Sequence, residues 1–320
     1  MPLLVTGGTG YLGEAVVRAL SEKYAVRLLI RDQKRAARLQ TLPQVSFVEG
    51  DVRDRASLKE AVKGCEGVFH LAALVKSAVR PKSLFDAVNV EGFQNLAEAA
   101  WKEGVKQLVY TSSFIALGPT DTVGERIFHN AYESSKTKAL ALARDYQRKG
   151  YPLITVVPTV LYGPGPLTAG NHTSRLVKAL LAGCFPGWID GGKWRWNFAY
   201  VDDVAKGHRL AFEMGKTGEE YLLGGETVSL RHFFTLASQI AGCPVPKREL
   251  SLFLLRMVAL YQEFLANTFS REPSLTLGVL SIYRHDWAFQ DEKSRKELGY
   301  AITPLREALE KTVQWLKEMS

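Results

Sequence analysis

The sequence predicts an α/β fold with a Rossmann-type, doubly wound parallel sheet and a smaller, mostly helical C-terminal lobe. Through the first half of the chain, short apolar runs alternate with amphipathic stretches, which is typical of a parallel sheet covered by helices on both faces. A glycine-rich segment joins the first apolar run to the first amphipathic stretch. From about residue 225 onward the patterns are mostly helical, which indicates the second lobe.

Six apolar runs are the predicted strands of the sheet. Their Val, Leu and Ile residues are consecutive rather than alternating, so each strand is expected to be buried on both faces. The runs are Leu3–Thr6, Val26–Ile30, Val45–Val48, Gly67–Leu71, Gln107–Thr111 and Leu153–Val157. Between them, apolar residues recur at helical spacing, as at Leu12, Val16 and Leu20.

Beyond Pro158 the pattern changes. Residues 163–196 are rich in Gly, Pro and Trp, and they are predicted to be loop-rich. The pattern then indicates a strand, a helix that Asp202 or Asp203 would cap, and another strand, at Asn197–Val201, Val204–Met214 and Tyr221–Leu223. We assign residues 1–158, with about 197–224, to the sheet domain, and about 159–196 with 225–320 to the second lobe.

The composition excludes several classes of protein. The formal net charge is +8, from 41 Lys and Arg against 33 Asp and Glu, but the basic residues are scattered, so no nucleic-acid partner is expected. Three cysteines without a C-x-x-C pair and six dispersed histidines indicate no metal site and suit a reducing, cytoplasmic location. We expect a small-molecule ligand and a monomer or homodimer.

The most apolar stretch of the chain is Leu252–Ala266. It is interrupted by Arg256, Gln262 and Glu263, so it is too polar for a stable membrane span. Three alternatives stay open: this stretch caps a pocket, forms a dimer contact or touches a membrane surface.

The glycine-rich segment predicts a dinucleotide site. It runs Thr6-Gly7-Gly8-Thr9-Gly10-Tyr11-Leu12-Gly13, between the first strand and the first helix. Gly7 would permit a tight turn, Gly10 a close approach of the backbone to a pyrophosphate, and Gly13 close packing of the helix on the sheet. The N-terminus of that helix would then bind the phosphates.

The end of the second strand bears on which dinucleotide is bound. Arg31 follows the apolar run directly and Asp32 comes second, before the basic residues Lys34, Arg35 and Arg38. An arginine at this position accommodates the 2′-phosphate of NADP(H), whereas an acidic residue favours NAD(H). The sequence therefore favours NADP(H), with Arg31 and Arg38 near the phosphate. The alternative is a solvated basic helix start, with Asp32 on the ribose.

The ends of the third and fourth strands border the same expected site. Asp51 could accept a hydrogen bond from the adenine amino group, with Val52 beside it. Leu71 is followed by Ala72 and Ala73, two small side chains that would leave room for the cofactor.

A serine, a tyrosine and a lysine carry the predicted chemistry. Tyr132 and Lys136 have Y-x-x-x-K spacing, which places them on one face of a helix, and Ser113 lies just past the fifth strand. Hydride transfer to a carbonyl needs a proton donor, and the reverse reaction needs a base. Tyr132 would fill that role, with its pKa lowered by Lys136 and the positive nicotinamide. Ser113 would bind the substrate oxygen.

Together these motifs resemble the extended short-chain dehydrogenases/reductases over essentially the whole chain. The matching segments are Thr6–Gly13, Gly50–Val52, His70–Ala73, Asn89–Gly92, Tyr110–Ser113, Tyr132–Lys136, Tyr162–Gly165 and Tyr200–Ala205. The resemblance implies that Asn89 lies near the active site and that Pro158 begins the turn beneath the nicotinamide. It also adds expected cofactor contacts at Tyr11, Leu12, Val52, Thr111, Ser112 and Val160.

Within that family the chain is most similar to the dihydroflavonol-reductase-like and 3β-hydroxysteroid-dehydrogenase-like branch. This implies an NADPH-dependent oxidoreductase acting on a carbonyl or secondary alcohol of a largely apolar molecule. Aromatic and apolar side chains of the second lobe suit such a ligand, with some expected in the pocket and others in the core: Phe185, Trp188, Trp194, Trp196, Phe253 and Leu254. Arg195, between two tryptophans, could hold an anionic substrate or pack as a structural cation.

Two other functions stay open. An NAD-dependent nucleotide-sugar epimerase usually has an Asn before the Tyr-Gly-Pro turn, where this chain has Thr159-Val160-Leu161. A non-catalytic NADP(H) sensor on the same fold would be expected to lose Tyr132 or Lys136, and both are present.

Overall fold

The computed structural model describes residues 1–76, 79–122, 128, 130–269, 273 and 275–319. Its strands are β1 Leu3–Thr6, β2 Val26–Ile30, β3 Val45–Glu49, β4 Gly67–His70, β5 Gln107–Thr111, β6 Leu153–Pro158, β7 Val160–Tyr162, β8 Arg195–Tyr200, β9 Glu220–Leu223 and β10 Glu226–Ser229. Its helices are α1 Tyr11–Ser21, α2 Arg55–Val62, α3 Ser83–Asp86, α4 Gly92–Glu103, α5 Phe114–Leu117, α6 Ala131–Arg148, α7 His172–Leu181, α8 Val201–Met214, α9 Leu230–Ala241, α10 Leu252–Phe269, α11 Leu277–Ile282, α12 Glu292–Leu298 and α13 Leu305–Glu318.

A seven-stranded sheet in the order β3-β2-β1-β4-β5-β6-β9 forms the centre of the molecule. All of its neighbouring strands run parallel. The direction of strand addition reverses between β1 and β4, and in open α/β sheets a crevice for ligands opens at such a point, outside the carboxyl ends of the strands. The predicted Rossmann-type fold is confirmed.

Helices cover both faces of this sheet, as the consecutive apolar runs predict. On one face, Val16 and Leu20 of α1 and Val204 of α8 pack against the strands. On the other face, α2, α4 and α6 contribute a second core that includes Phe93 and Leu96. The expectation of burial on both faces is wrong for β3, whose residues are partly or fully exposed, because β3 is an edge strand with one neighbour.

A second, three-stranded sheet, in the order β10-β8-β7, belongs to the C-terminal part of the molecule. The chain passes from the large sheet to the small one within a single residue, Thr159, which lies between β6 and β7. Helices α7, α9 and α13 pack around the small sheet in a third apolar core. The predicted second lobe is therefore present and mostly helical, but it is organised around strands that the sequence pattern did not resolve.

Three local expectations for this region are wrong. Residues 163–196 contain α7, a ten-residue helix, whose Val177 and Leu180 are buried. The strand expected at Asn197–Val201 forms β8, which pairs in the small sheet instead of the large one. Helix α8 begins at Val201, so Asp202 and Asp203 lie in its first turn and neither caps it.

None of the helices described in the structure is long and apolar enough to cross a membrane.

Candidate active site

The glycine-rich segment forms the turn from β1 into α1. Gly7 has φ +76°, a left-handed conformation that side chains disfavour, and its Cα lies against the backbone of Leu71 and Ala72. Gly10 is the N-cap of α1, and the nearest atom to a Cβ placed there would be the Gly7 carbonyl oxygen at 3.2 Å. The loop is therefore open at Gly10 and closed at Gly7, as an anion site at a helix N-terminus requires.

Gly13 has a different role from the expected one. A Cβ at this position would collide with the Gly7 carbonyl and the Gly8 Cα. The close approach that requires glycine is therefore between α1 and the loop itself, not between α1 and the sheet. Gly8 is also required by packing, because a Cβ there would meet the side chains of Val17 and Leu28.

Charged residues at the tips of β2 and β3 lie together. Arg31 is largely exposed, and its guanidinium is 3.8 Å from the Asp51 carboxylate. Arg53 donates two side-chain hydrogen bonds to the same carboxylate, at 3.0 and 2.8 Å. The hydrogen bonds from Arg53, and the nearby charge of Arg31, lower the pKa of Asp51. This edge of the site is basic overall.

The residues after Arg31 form a short 3-10 helix, Gln33–Leu39, and Asp32 caps it by accepting a hydrogen bond from the Lys34 N–H at 2.9 Å. Its carboxylate therefore has a structural partner. Lys34, Arg35 and Arg38 are all exposed.

The remaining expected cofactor contacts lie around the carboxyl ends of β1, β4, β5 and β6. Leu12 and the segment Leu71–Ala73 are half-buried, whereas Val52, Pro158 and Val160 are buried. A Cβ on Gly92 of α4 would meet the Val52 side chain, so Val52 is fixed between β3 and α4. Ser112 is buried, and its Oγ has no hydrogen-bond partner among the described residues.

Two buried histidines fix threonines at these strand ends. Thr6 Oγ1 and His70 Nδ1 are 2.7 Å apart. His208 of α8 donates from Nδ1 to the Val204 carbonyl at 2.7 Å, so its Nε2 accepts from Thr111 Oγ1 at 3.0 Å. Burial lowers the pKa of His70 to about 3 and of His208 to about 4. Both rings are therefore neutral at physiological pH.

Ser113, Tyr132 and Lys136 come together at the end of β5. Ser113 is the N-cap of α5, and its Oγ accepts a hydrogen bond from the Ile115 N–H at 3.4 Å. Tyr132 and Lys136 are one turn apart on α6, and the Ser113 hydroxyl lies near enough to the Tyr132 phenol to lower its pKa. Lys136 is buried, and its Nζ donates to the Thr111 carbonyl at 3.0 Å.

Within the chain itself, Lys136 does not lower the pKa of Tyr132 as expected, while the share of that lowering assigned to a bound nicotinamide stays a prediction. Burial raises the pKa of Tyr132 to about 12, and the Ser113 hydroxyl offsets only part of that rise. Burial also lowers the pKa of Lys136 to about 7. Both shifts have one physical cause, since removal from water disfavours the charged form of each group. At neutral pH, Tyr132 is a protonated phenol that can donate a proton.

Asn89 lies in a π-helical turn, Ala87–Glu91, between α3 and α4. Its Oδ1 accepts from the Leu74 N–H at 2.7 Å, and its Nδ2 donates to Ser135 Oγ at 2.9 Å. It therefore ties the segment after β4 to the tyrosine-bearing helix α6. Turns of this kind interrupt helices most often at functional sites.

An aromatic wall lies next to the serine. The Phe114 ring is 5.0 Å from the Trp287 ring and 6.3 Å from the Phe289 ring, between centroids. Trp196 lies 4.9 Å from Tyr283 and forms a backbone bridge with Trp287. The C-terminal part of the chain thus builds one side of the site.

The structure places four residues of the expected substrate side on the surface or in the core. Phe253 and Leu254 are on the outer surface of α10, and Phe253 is 71% exposed. Trp188 is buried between Phe185 and Phe234, so it is a core residue. Arg195 is exposed at the start of β8, and the cation over Trp194 is that of Lys193, at 4.8 Å.

Sequence reasoning missed three contacts of this region. The Tyr11 hydroxyl donates to the Gly163 carbonyl at 3.2 Å, which joins the glycine loop to the turn after β7. Arg53 holds Asp51, and His208 holds Thr111. The D-x-R spacing of Asp51 and Arg53 is a local signal that could have been found. The other two contacts join residues 152 and 97 positions apart, for which a single sequence carries no local signal.

Comparison with known proteins agrees with this geometry. A protein from Synechocystis sp. assigned as a dihydroflavonol 4-reductase is 32% identical, over 98% of this chain and 94% of its own length. A ketoreductase from Stigmatella aurantiaca, named for a farnesyl-dihydroquinoline-oxide substrate, is 30% identical over 94% of this chain and 92% of its own. The crystal structure of gox2253 superposes with a TM-score of 0.80 at 34% identity, and covers 99% of this chain and 98% of that one.

A profile of the NAD-dependent epimerase/dehydratase family matches residues 3–224. That match includes the glycine loop, the seven strands of the large sheet and the Ser113, Tyr132 and Lys136 cluster. The chain belongs to the NAD-dependent epimerase/dehydratase family.

Proposed function

We propose that the protein is an NADPH-dependent oxidoreductase that reduces a carbonyl, or oxidises a secondary alcohol, of a largely apolar small molecule. The observation that carries this proposal is the meeting of Ser113, Tyr132 and Lys136 at the crevice where the glycine loop opens. Family membership and the two reductase relatives support the same class of reaction.

The residues present fit a dinucleotide. The open loop at Gly10 and the first turn of α1 would hold the pyrophosphate, because a helix N-terminus presents free N–H groups and a positive dipole end. The small side chains of Ala72 and Ala73 would border the ribose and adenine, with Asp51 near the adenine. When bound, a nicotinamide dinucleotide supplies or accepts the hydride.

Side chains of the protein supply the proton and bind the oxygen that receives it. In the reducing direction, the protonated Tyr132 phenol donates its proton to the carbonyl oxygen as the carbon receives the hydride, and an alcohol results. The Ser113 hydroxyl donates a hydrogen bond to that same oxygen and stabilises the charge that develops on it. Lys136, held by the Thr111 carbonyl, keeps its position one turn along α6.

The preference for NADPH is supported by the tip of β2. Arg31 is 64% exposed at its side chain, with one long contact to Asp51, so its guanidinium can meet a 2′-phosphate at small cost. Asp32 is engaged as a helix cap, which weakens the alternative in which it binds a ribose hydroxyl of NAD(H).

The apolar substrate class is supported by the aromatic wall of Phe114, Trp287 and Phe289 beside Ser113. Phe114 and Phe289 are half-buried, and apolar side chains are the usual lining of pockets that bind apolar ligands. The Stigmatella relative is named for a farnesyl-bearing ketone substrate, which is of the same class.

A nucleotide-sugar epimerase is the second candidate, since the family also contains enzymes of that kind. In this chain the position before the Tyr-Gly-Pro turn carries Thr159-Val160-Leu161, and both Thr159 and Val160 are buried. A non-catalytic sensor is disfavoured because the buried Lys136 and the protonated Tyr132 would have no use in it.

Turnover with a panel of ketones and aldehydes tests the proposal. NADPH should be consumed in proportion to the alcohol formed, and Tyr132→Phe should lower turnover at least about a hundredfold while NADPH binding survives, because only the proton donor is removed. Tyr151→Phe is the matched control, since that ring stacks on Trp101 at the surface. Epimerisation of a UDP- or GDP-sugar without added cofactor would favour the second candidate, and full turnover by Tyr132→Phe would refute the assigned role.

A further inference from the structure

Helix α10 presents a broad apolar side to solvent, while Gln262 and Glu263 lie on the side that faces the protein, together with the buried Ala259. Tyr261 is 63% exposed and Phe264 is 61% exposed. On the opposite side, Gln262 Oε1 accepts from the Leu275 N–H at 2.9 Å, and Glu263 Oε1 accepts from the Leu277 N–H at 2.8 Å. The outward apolar side chains are those of Phe253, Leu254, Met257, Val258, Leu260, Tyr261 and Phe264.

In a surface helix of a water-exposed protein the apolar stripe faces the core, whereas seven apolar side chains of α10 face outward. Successive residues of a helix are rotated by about 100°, which places the seven exposed side chains on one continuous side. A contiguous apolar patch of this kind marks an interaction surface. We call this side of α10 the outer face.

The charge around the outer face decides between its possible occupants. Of the two charged side chains on α10, Glu263 faces the protein and Arg256 is exposed. Lys247 and Arg248, just before the helix, are exposed as well, whereas Glu249 pairs with Arg231 at 2.6 Å. Among the described residues of α10 and of the segment just before it, the net exposed charge at the N-terminal rim of the outer face is therefore positive.

A positive rim around an apolar face fits an anionic lipid surface, to which each basic residue close to the headgroups adds attraction. A second copy of the chain fits less well, because a two-fold contact through this face would bring the same positive charges together. Aromatic rings such as Tyr261 are also common at the level of lipid headgroups.

We propose that α10 docks the protein on an anionic membrane surface, lying flat with Phe253 and Phe264 inserted and Arg256, Lys247 and Arg248 at the headgroups. The helix packs against α11, and Tyr283, directly after α11, stacks near Trp196 in the aromatic wall. Through these contacts, the docked helix lies beside the Tyr283 end of the aromatic wall. The other end of that wall is at Phe114, next to Ser113. An apolar substrate could then enter from the bilayer along this wall, and this step rests on the proposed function. The docking itself does not depend on the proposed function.

Vesicle flotation with the full chain tests the docking. Vesicles of phosphatidylcholine containing about 30 mol % phosphatidylglycerol should bind the protein more tightly than phosphatidylcholine alone, and salt should weaken the difference. The double variant Phe253→Ser/Phe264→Ser should bind at least about tenfold more weakly, since two buried rings are lost. Arg256→Glu should weaken binding to the anionic vesicles only.

Two matched controls separate docking from general effects. Met214→Ser removes an apolar side chain that is 62% exposed at the end of α8, and Lys206→Glu makes the same charge change as Arg256→Glu on that helix; neither should alter binding. Circular dichroism and the thermal midpoint verify that the variants fold. Reduction of a water-soluble ketone without vesicles should be unchanged in the double variant, so a failure of docking is distinguishable from a failure of the proposed reaction.

The proposal is overturned if the wild-type protein does not float with anionic vesicles, or if the double variant floats as well as the wild type. A wild-type dimer that the double variant converts to a monomer, without vesicle binding, would assign the outer face to a second copy of the chain.

Discussion

Tyr132 and Lys136 lie one helical turn apart, and burial favours the uncharged form of both. With a Tyr132 pKa of about 12, the phenol is protonated throughout the neutral range, whereas Lys136, with a pKa of about 7, becomes charged as the pH falls below neutral. At neutral pH the proton needed for the proposed reaction is therefore bound to the tyrosine. This protonation state suits carbonyl reduction better than alcohol oxidation.

The two directions of the proposed reaction should consequently differ in pH dependence. Reduction uses the protonated phenol, so kcat/KM should be flat between about pH 8 and about pH 10, above the pKa of Lys136. Oxidation uses the phenolate, whose fraction below its pKa grows about tenfold per pH unit. Its kcat/KM should rise by that factor over the same range, and Tyr132→Phe should abolish the slope. An oxidation rate that stays constant there would show that the phenol is already ionised.

Arg31 is the residue on which the choice of cofactor depends most. NADPH should bind at least about tenfold more tightly than NADH, because a charged hydrogen bond is worth about 1.5–3 kcal/mol, and Arg31→Ala should remove most of that preference. Titration of both nucleotides measures it. Arg55→Ala is the control, since it removes the same charge from a side chain bonded to Asn95. Equal affinities in the wild type would contradict the assignment.

Helix α1 lies so close to the glycine loop before it that an added side chain at Gly13 would disturb both elements. Gly13→Ala would drive a Cβ into the Gly7 carbonyl and Gly8, and backbone atoms cannot yield as a flexible side chain does. We expect a stability loss of about 1–3 kcal/mol and at least about tenfold weaker dinucleotide binding, measured by denaturant unfolding and by titration. Glu14→Ala, the next residue, should have little effect on binding. Normal affinity in Gly13→Ala would mean that the loop is not the phosphate site.

The strands could be predicted from the sequence, whereas their pairing in the two sheets could not. The six predicted strands form because a run such as Val26–Ile30 carries its own signal in consecutive apolar residues. The partner of a strand carries no such signal: β8 resembles a strand of the large sheet in sequence, yet it pairs with β7 and β10. The sequence pattern does not predict helix α7, because glycines and prolines on either side of it dominate the composition of residues 163–196.

For the whole molecule, the proposed catalytic cluster could be predicted because Ser113 follows a predicted strand and the Y-x-x-x-K spacing places Tyr132 and Lys136 on one face of a helix. The side of the site that would bind the substrate could not be predicted. Its wall joins Phe114 to Trp287 and Phe289, and this packing depends on where the second lobe settles. For the same reason, the surface position of Phe253 and Leu254 contradicts an expectation built on composition alone.

The segment after Ser113 is tied to a distant part of the chain: Thr120 donates to the Asp286 carbonyl across 166 residues, and the Ala288 N–H donates to Thr120 across 168. Protein synthesis adds roughly 5–20 residues per second, so roughly 10–30 s separate the two halves of this contact as the chain emerges. During that interval a nascent chain carries the glycine loop and the tyrosine helix but lacks one wall of the site. The proposed active site is therefore incomplete until residues 286–288 have been synthesised.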